Sequence, residues 1–354
     1  MTQKQMSAAV LHAPGDLRYQ SVAMPELTEQ RNVLVKVRAT GICGSDIGRV
    51  LNFGTYNFPT VPGHEFAGEI TDLLPEVTQF KVGDRVAIAP LMPCHQCSSC
   101  QRGNYSLCDN YDFLGSRSDG GFAEYVSVPE QNLIRLPDNV TYAEAALIEP
   151  AAILLHGIHK INLSLGDKVA VIGCGALGYF AIQFARLSGA EVIAIDVAQD
   201  KLDLAKQAGA DVCINAADVD AVKEVLALTA GQGVDRVFEC AGNNISRQTG
   251  LSVLRKQGTM LIFGSAHSDV SFPAANFEKI LRHELHIVGS WNSYSVPFPG
   301  REWFEIVNLL GKRQLQMLPF VSHRFSLAEA PAVFARFKEK TIGSYNKILF
   351  EMKE

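Results

Sequence analysis

The sequence lacks the features that attach a protein to a membrane or a nucleic acid. None of its apolar stretches approaches the roughly 18 consecutive residues that a membrane-spanning helix needs. No apolar run follows the N-terminal charge as it would in a signal peptide. The 354 residues carry a formal net charge of -5, which disfavours non-specific attraction to nucleic acid or anionic lipid. Because 47% of the residues are hydrophobic, we expect a globular cytoplasmic protein rather than a disordered one.

The pattern of apolar segments changes after about residue 150, and the chain is too long for one typical core. Alternating runs in the first part predict a barrel-like antiparallel domain with strands at 32–37, 69–73, 85–89 and 123–128. From residue 168 onward, strands alternate with helices at 177–187 and 201–207. The strands predicted for this parallel sheet are 168–172, 191–196, 212–214, 234–239, 259–263 and 286–288.

The predicted fold class is therefore α/β, with a β-rich first domain and a doubly wound parallel-sheet (Rossmann) domain in the usual strand order. A helix from Glu302 and a closing strand at 347–350 predict that the chain then returns to the first domain. The predicted domain boundaries are 1–153, 154–290 and 291–354.

A glycine-rich turn follows the first strand of the parallel sheet. Gly173, Gly175 and Gly178 form a G-x-G-x-x-G pattern, with Ala176 and Leu177 between the last two glycines. Such a turn lets backbone N–H groups at a helix N-terminus approach a pyrophosphate. The pattern therefore predicts a dinucleotide-binding turn, although tight turns alone also match it.

Asp196 ends the next strand, about 20 residues on, where a ribose-binding carboxylate belongs. Its charge would repel the 2′-phosphate of NADP by roughly 4 kcal/mol per charge pair at an effective dielectric of about 20. The predicted cofactor is therefore NAD. Lys201 is close enough in sequence to contact the adenosine ribose, and the alternative is a solvated helix lysine.

Half of the eight cysteines fall within 15 residues. Cys94, Cys97, Cys100 and Cys108 have the spacing C-x2-C-x2-C-x7-C. Four thiolates this close can form the closed tetrahedron of a structural zinc site. The alternatives are an iron–sulfur cluster, whose common spacings differ, and four unrelated buried cysteines.

Other residues of metal-ligand type are scattered through the first domain: Cys43, His64, Glu65 and Glu149. Taken singly, each has a simpler explanation as a core thiol, a hydrogen-bonded histidine or a turn acid. Spacing alone does not join them into one site.

The order of several motifs resembles that of the zinc-containing medium-chain dehydrogenase/reductase family. The motifs are 41–46, 63–68, 83–86, the four-cysteine lobe (90–112), 120–125 and 173–178. The resemblance implies a GroES-like catalytic domain, a Rossmann domain and two Zn²⁺ per chain. It implies a catalytic zinc held by Cys43, His64 and Glu149, with Glu65 as a neighbouring or exchanging ligand. It also implies a homodimer or homotetramer.

Residues 90–94, 111–125 and 289–294 most resemble the branch that acts on galactitol 1-phosphate. The implied reaction is the reversible oxidation of a secondary hydroxyl of a polyol or polyol phosphate to a ketose, with galactitol 1-phosphate to tagatose 6-phosphate favoured. Sorbitol (L-iditol), arabinitol-phosphate and butanediol dehydrogenases share most of the same pattern. A non-catalytic NAD- or zinc-binding protein and a zinc-ribbon adaptor are the alternatives from other classes.

The resemblance also implies roles for residues around the catalytic metal. Ser45 would relay the substrate proton and Asp46 would fix the tautomer of His64, and turn capping is the alternative for both. Gly48 stands where some relatives carry a proton-relaying histidine. For the substrate, Arg117 is the candidate phosphate contact, and the alternative is a surface or interface charge.

Trp291 is the candidate for an apolar wall of the substrate site. The expected ligand is a small polyol or polyol phosphate.

Overall fold

The computed structural model describes residues 4–266 and 268–352. The chain forms two compact units: Met1–Glu149 with Tyr294–Glu354, and Pro150–Ser293. The predicted domain boundaries lie within four residues of these divisions. Within the described ranges, no helix combines the length and apolar character needed to cross a bilayer.

Seventeen strands are present in the described part of the chain. They are β1 (Gln5–Ala13), β2 (Asp16–Ala23), β3 (Val33–Gly41), β4 (Glu65–Leu73), β5 (Arg85–Ile88), β6 (Leu91–Met92), β7 (Asp112–Phe113), β8 (Tyr125–Val128), β9 (Leu133–Arg135), β10 (Lys168–Ile172), β11 (Glu191–Asp196), β12 (Val212–Asn215), β13 (Val234–Glu239), β14 (Leu254–Ile262), β15 (His286–Gly289), β16 (Val321–Ser326) and β17 (Lys347–Glu351).

The first three α-helices of the same residues are only four or five residues long, and the later ones have eight to twelve residues. They are α1 (Gly44–Gly48), α2 (Ser98–Gln101), α3 (Tyr142–Ala145), α4 (Ile148–Ile158), α5 (Ala176–Leu187), α6 (Gln199–Gln207), α7 (Ala221–Leu228), α8 (Asn244–Val253), α9 (Ala274–Arg282), α10 (Arg301–Gly311) and α11 (Ala330–Lys338).

The first unit is organised around a sheet in the order β16-β17-β3-β4-β5-β9, with β8 also paired to β3. Strand β3 alternates between buried apolar residues and the partly exposed Lys36 and Arg38, so one face packs into the core. The late strand β17 pairs antiparallel with β3, and Leu349 lies opposite Gly41. This pairing brings the start of β17 beside the chain that leads into α1.

The second unit is a six-stranded parallel sheet in the order β12-β11-β10-β13-β14-β15. This is the doubly wound order, and it confirms the predicted Rossmann fold. Strand β14 begins five residues earlier than predicted, at Leu254. Leu254 pairs with Val234, a register shift follows, and Gln257 has a φ of +58°. The turn-like Lys-Gln-Gly segment is therefore an irregularity within the strand and not the loop before it.

Candidate active site

Three ligand-type side chains converge where β3 and β4 meet. The ligand atoms of Cys43, His64 and Glu65 all lie within 4.8 Å of one another. Glu65 pairs with Gly41 across the β3–β4 ladder, and Cys43 follows two residues later, immediately before α1. The antiparallel pairing thus joins residues that are more than 20 positions apart in the sequence.

Asp46 connects two of these residues through its buried carboxylate. Its Oδ2 accepts a hydrogen bond from the backbone N–H of Cys43 at 3.0 Å, and its Oδ1 lies 3.2 Å from His64 Nδ1. This contact leaves Nε2 of His64 available to a metal. Burial acts to lower the pKa of His64, but the charges of Asp46 and Cys43 raise it well above its usual value. The surroundings of the imidazole are therefore strongly negative.

Glu65 is held by a buried lysine that sequence reasoning missed. Lys347 Nζ contacts both carboxylate oxygens of Glu65, at 2.8 and 2.7 Å, and also donates to the carbonyl of Ile42 at 3.1 Å. A Cβ on Gly41 would lie 2.2 Å from Glu65 Oε2, so only glycine leaves space for this carboxylate. Lys347 lies at the start of β17, in no recognisable motif, and only the strand pairing brings it here.

Glu149 lies buried in the first turn of α4 and outside the 4.8 Å group. Burial and the charge of Glu65 raise its pKa to about 7, although His64 and Lys347 oppose the rise. Its Oε2 is buried without a hydrogen-bond partner among the described residues. A buried carboxylate oxygen without a partner needs a cation or a proton.

Ser45 has a neighbour that the sequence did not reveal. Arg49 Nη1 donates to Ser45 Oγ at 2.8 Å and lies 3.7 Å from Asp46 Oδ1. At Gly48, a Cβ would lie 2.5 Å from the ring of Phe53. A side chain at position 48 would therefore require this exposed ring to move aside.

The donor set of this cluster suits zinc. A thiolate, an imidazole and a carboxylate are the ligand types of catalytic zinc sites, in which three protein ligands leave one position open. The unpartnered Glu149 oxygen could accept a bond to the ion, and the negative charges of Asp46 and Cys43 beside His64 are ones that a dication would offset.

The four cysteines of the lobe also converge, with their sulfurs within 4.8 Å of one another. The backbone N–H groups of Gln96 and Cys97 lower the pKa of Cys94 to about 6. Burial raises the pKa of Cys100 to about 12. Four sulfurs at this separation fit a tetrahedral structural zinc and leave no open position.

The glycine turn in the second unit has the geometry that a dinucleotide needs. Gly173 has a φ of +90°, and a Cβ on Gly178 would lie 1.9 Å from the Gly173 carbonyl oxygen. These two glycines allow the tight turn and the close packing of α5 on β10. A Cβ on Gly175 would meet no protein atom within 4 Å, so the space beside it is free for a ligand. Ala176 and Leu177 begin α5, directly after this turn.

Asp196 lies at the carboxyl end of β11, next to this turn. Its Oδ2 accepts from the backbone N–H of Cys174 at 2.7 Å, and its Oδ1 accepts from those of Val197 and Ala198. Lys201 lies close enough for its charge to lower the pKa of the Cys174 thiol, which burial and Asp196 raise. The structure thus brings Asp196 to the glycine turn.

The two candidate substrate contacts lie in different units. Arg117 lies in the first unit, in the segment that follows β7, and its guanidinium stacks between two tyrosine rings. Trp291 follows β15 in the second unit and is 56% exposed.

Two protein families match this chain. Residues 29–138 match the alcohol dehydrogenase GroES-like domain, and residues 176–311 match the zinc-binding dehydrogenase family. These matches cover both units and agree with the β-rich first unit and the parallel sheet of the second.

Individual relatives are similar over nearly the whole chain. Galactitol 1-phosphate 5-dehydrogenase of Escherichia coli (strain K12) is 37% identical over 91% of this chain and 93% of its own length. A sorbitol dehydrogenase of Halalkalibacterium halodurans is 36% identical over 92% and 94%, respectively.

Solved structures of dehydrogenases are also similar over nearly the whole chain. Galactitol-1-phosphate dehydrogenase from Escherichia coli superposes with a TM-score of 0.92 at 35% identity, covering 98% of this chain and all of the other. A Sinorhizobium meliloti protein described as a zinc-binding dehydrogenase and bound to NADP has a TM-score of 0.89 at 31% identity, with coverages of 99% and 100%. The chain therefore belongs to the zinc-containing medium-chain dehydrogenase/reductase family, and within it to the polyol dehydrogenases, which use zinc and a nicotinamide dinucleotide.

Proposed function

We propose that this protein oxidises a secondary hydroxyl of a polyol phosphate to a ketose with NAD, and that galactitol 1-phosphate, giving tagatose 6-phosphate, is the favoured substrate. The observation that carries the proposal is the convergence of Cys43, His64 and Glu65 within 4.8 Å, in a chain whose relatives include a galactitol 1-phosphate 5-dehydrogenase. The reaction is reversible.

Cys43, His64 and Glu149 are the proposed ligands of the catalytic zinc. Both oxygens of Glu65 are engaged by Lys347, whereas Glu149 retains a buried oxygen without a partner among the described residues. This difference favours Glu149 as the resident carboxylate and Glu65 as an exchanging one. When bound, zinc would lower the pKa of a substrate hydroxyl, as it lowers that of water to about 7. The second zinc is assigned to the four cysteines of the lobe.

The residues around the metal would position the substrate proton. Ser45 Oγ accepts one hydrogen bond from Arg49, so a second lone pair remains to accept a hydrogen bond from the substrate hydroxyl. For Ser45 to relay the substrate proton, it would have to release its own hydroxyl proton to solvent. Arg49 cannot carry that proton further because a guanidinium stays protonated. Its role is to hold Ser45 in one orientation, and Asp46 does the same for His64.

The proposed cofactor is NAD, which when bound would supply the hydride acceptor. Asp196 is fixed by three backbone N–H groups, so its carboxylate cannot easily turn away from a ribose phosphate. A 2′-phosphate would meet a fixed like charge, which disfavours NADP.

The proposed setting is the cytoplasm, where all eight free cysteines would stay reduced. A homodimer or homotetramer is the proposed assembly, and strand β15, at the edge of the parallel sheet, is a candidate contact.

The test is reduction of NAD and of NADP by the purified enzyme with paired substrates: galactitol 1-phosphate beside galactitol, sorbitol and 2,3-butanediol. We expect the highest kcat/KM with galactitol 1-phosphate and NAD. Turnover confined to sorbitol or butanediol would move the assignment to those dehydrogenases, since the sorbitol dehydrogenase is almost equally similar. Two bound zincs without any turnover would favour a non-catalytic binding protein.

A further inference from the structure

Arg117 is stacked between two aromatic rings. Its guanidinium carbon lies 4.1 Å from the ring centre of Tyr56 and 4.4 Å from that of Tyr111. We call these three residues the arginine clamp. These two cation–π contacts hold the guanidinium against the rings but do not use its N–H groups as hydrogen-bond donors.

The donors of Arg117 have no acceptor within the described ranges 4–266 and 268–352. Its Nε is buried without a hydrogen-bond partner, and no carboxylate pairs with the guanidinium. Arginines elsewhere in the same unit do have such partners: Arg135 pairs with Asp84 and Arg313 with Glu144. A partly buried cation with unused donors is a binding group for an anion.

The backbone around the clamp is held in place by hydrogen bonds. The N–H of Tyr56 donates to the carbonyl of Ser116 at 3.1 Å, and Asn57 Nδ2 donates to the carbonyl of Arg117 at 2.9 Å. The N–H of Arg117 donates to the carbonyl of Phe113 at 2.9 Å. The segments of Tyr56 and Arg117, far apart in sequence, are thus joined. The binding of a ligand would therefore require little further ordering of the backbone.

The clamp is connected to the segment that carries His64 and Glu65. Phe113 connects them through its ring, which lies 5.6 Å from the His64 ring and 6.3 Å from the Tyr111 ring. Further along the segment, the N–H of Gly121 donates to the carbonyl of Gly63 at 2.7 Å. The anion site and the cluster around His64 therefore belong to one rigid framework within the first unit.

We infer that the arginine clamp binds the phosphate group of the substrate and so selects phosphorylated over free polyols. This inference rests on the proposed oxidation of a polyol phosphate at the cluster around His64. A guanidinium held by Tyr56 and Tyr111 would offer two parallel N–H donors to two phosphate oxygens.

The test compares Arg117→Gln and Arg117→Lys with the control Arg336→Gln. Arg336 also stacks on a ring, that of Phe325 at 5.6 Å, and is exposed in the same unit, so its replacement removes one equal charge elsewhere. For each enzyme, KM and kcat are measured with galactitol 1-phosphate and with free galactitol. Binding of inorganic phosphate is measured by calorimetry on the zinc-loaded protein, and thermal unfolding checks the fold.

We expect Arg117→Gln to raise KM for galactitol 1-phosphate about 10- to 100-fold, the usual range for lost charge-assisted hydrogen bonds. The kcat/KM for free galactitol should stay unchanged, as should every value for Arg336→Gln. Arg117→Lys should fall between, because it keeps the charge but loses the paired donors. Equal losses with both substrates, or no loss with either, would refute the clamp as a phosphate site.

Calorimetry separates this inference from the proposed function. Suppose that the enzyme oxidises only free polyols. If inorganic phosphate still binds to the unchanged enzyme and to Arg336→Gln, but not to Arg117→Gln, the anion site is supported and the proposed substrate is wrong. If inorganic phosphate binds equally to all variants or to none, the clamp is refuted whichever polyol is oxidised.

The tyrosines provide a second, smaller test. Tyr56→Leu removes one stacking face, whereas Tyr56→Phe keeps it and serves as the matched control. We expect Tyr56→Leu to raise KM for galactitol 1-phosphate about 3- to 5-fold and Tyr56→Phe to leave it unchanged. If both raised it equally, the hydroxyl of Tyr56 and not its ring would be responsible, and the stacked clamp would be wrong.

Discussion

The two groups of metal-ligand residues in the first unit are assembled in opposite ways. The lobe takes four sulfurs from positions 94–108, and its geometry depends on one short helix and neighbouring backbone turns. The cluster around His64 takes residues from a loop and a strand, and its Glu65 is paired with a lysine 282 positions away. A local site can be read from spacing, whereas a dispersed site depends on the folded sheet.

The two groups also stabilise negative charge differently. In the lobe, backbone N–H groups donate to sulfur, as from Cys97 to Cys94 at 3.4 Å. In the cluster, a fully buried ammonium group and the guanidinium of Arg49 provide the positive charge. The lobe should therefore respond mainly to loss of its metal, and the cluster to loss of individual side chains.

The largest expected effect is on activity. His64→Ala should lower kcat/KM about 1000-fold, because zinc without its imidazole no longer activates the hydroxyl. Zinc content should fall from about two towards one per chain, measured by atomic absorption. His95→Asn changes an exposed histidine of the lobe and should retain activity and both metals. Equal losses in the two variants would contradict the division between the sites.

A large effect on stability is expected at the buried ion pair. Lys347→Met leaves the buried Glu65 carboxylate without its counter-charge and should lower the free energy of unfolding in urea by about 3 kcal/mol. Lys347→Arg should lower it less because the charge remains. Adding Glu65→Gln to Lys347→Met should restore part of the loss. An unchanged midpoint for Lys347→Met would show that the pair contributes little.

Loss of the lobe metal should lower the stability of the protein but leave its catalytic rate nearly unchanged. Cys97→Ser should bind about one zinc fewer and lower the free energy of unfolding by about 2 kcal/mol. Its kcat per folded chain should remain close to that of the unchanged protein, because no residue between Cys94 and Cys108 is a proposed substrate contact. Cys213→Ser, outside both groups, is the control. A kcat that fell as far as in His64→Ala would assign the lobe to catalysis.

The smallest effect concerns single thiols in the lobe after chelation of zinc. Because the pKa of Cys94 is lowered to about 6, it should be mostly thiolate at pH 7 and react with iodoacetamide first. Cys100, whose pKa is raised to about 12, should remain a thiol and react last. The rate at Cys94 should fall as the pH drops through about 6. Peptide mass spectrometry measures this order, and faster reaction at Cys100 would reverse the assignment.

The features that could be predicted from the sequence are those that depend on local patterns, as in the four-cysteine lobe. The glycine turn, Asp196 and the four cysteines were found because each pattern is local and the chemistry of each residue type is restrictive. The parallel strands were found because apolar runs alternate with helices, and their order in the sheet is as predicted. The early start of β14 was missed because its first residues lie before an irregular turn.

The partners within the dispersed site were not predictable. Lys347, Arg49 and Tyr56 are common residue types in unremarkable segments, and they acquire a role only through contacts across the fold. The glycine at position 48 was recognised as a departure from some relatives, but its close neighbour, the ring of Phe53, required coordinates. A single sequence contains no local signal for such pairs.

The pairing of β17 with β3 has a consequence for how the protein is made. A ribosome releases Cys43, His64 and Glu65 long before Lys347, with the whole second unit synthesised in between. Until β17 emerges, the flank of β3 near Gly41 lacks its neighbour and the Glu65 carboxylate lacks its counter-charge. Completion of the proposed metal site would therefore wait for the end of translation. A nascent chain stalled within the second unit would contain all of the proposed ligand residues but lack Lys347 and β17.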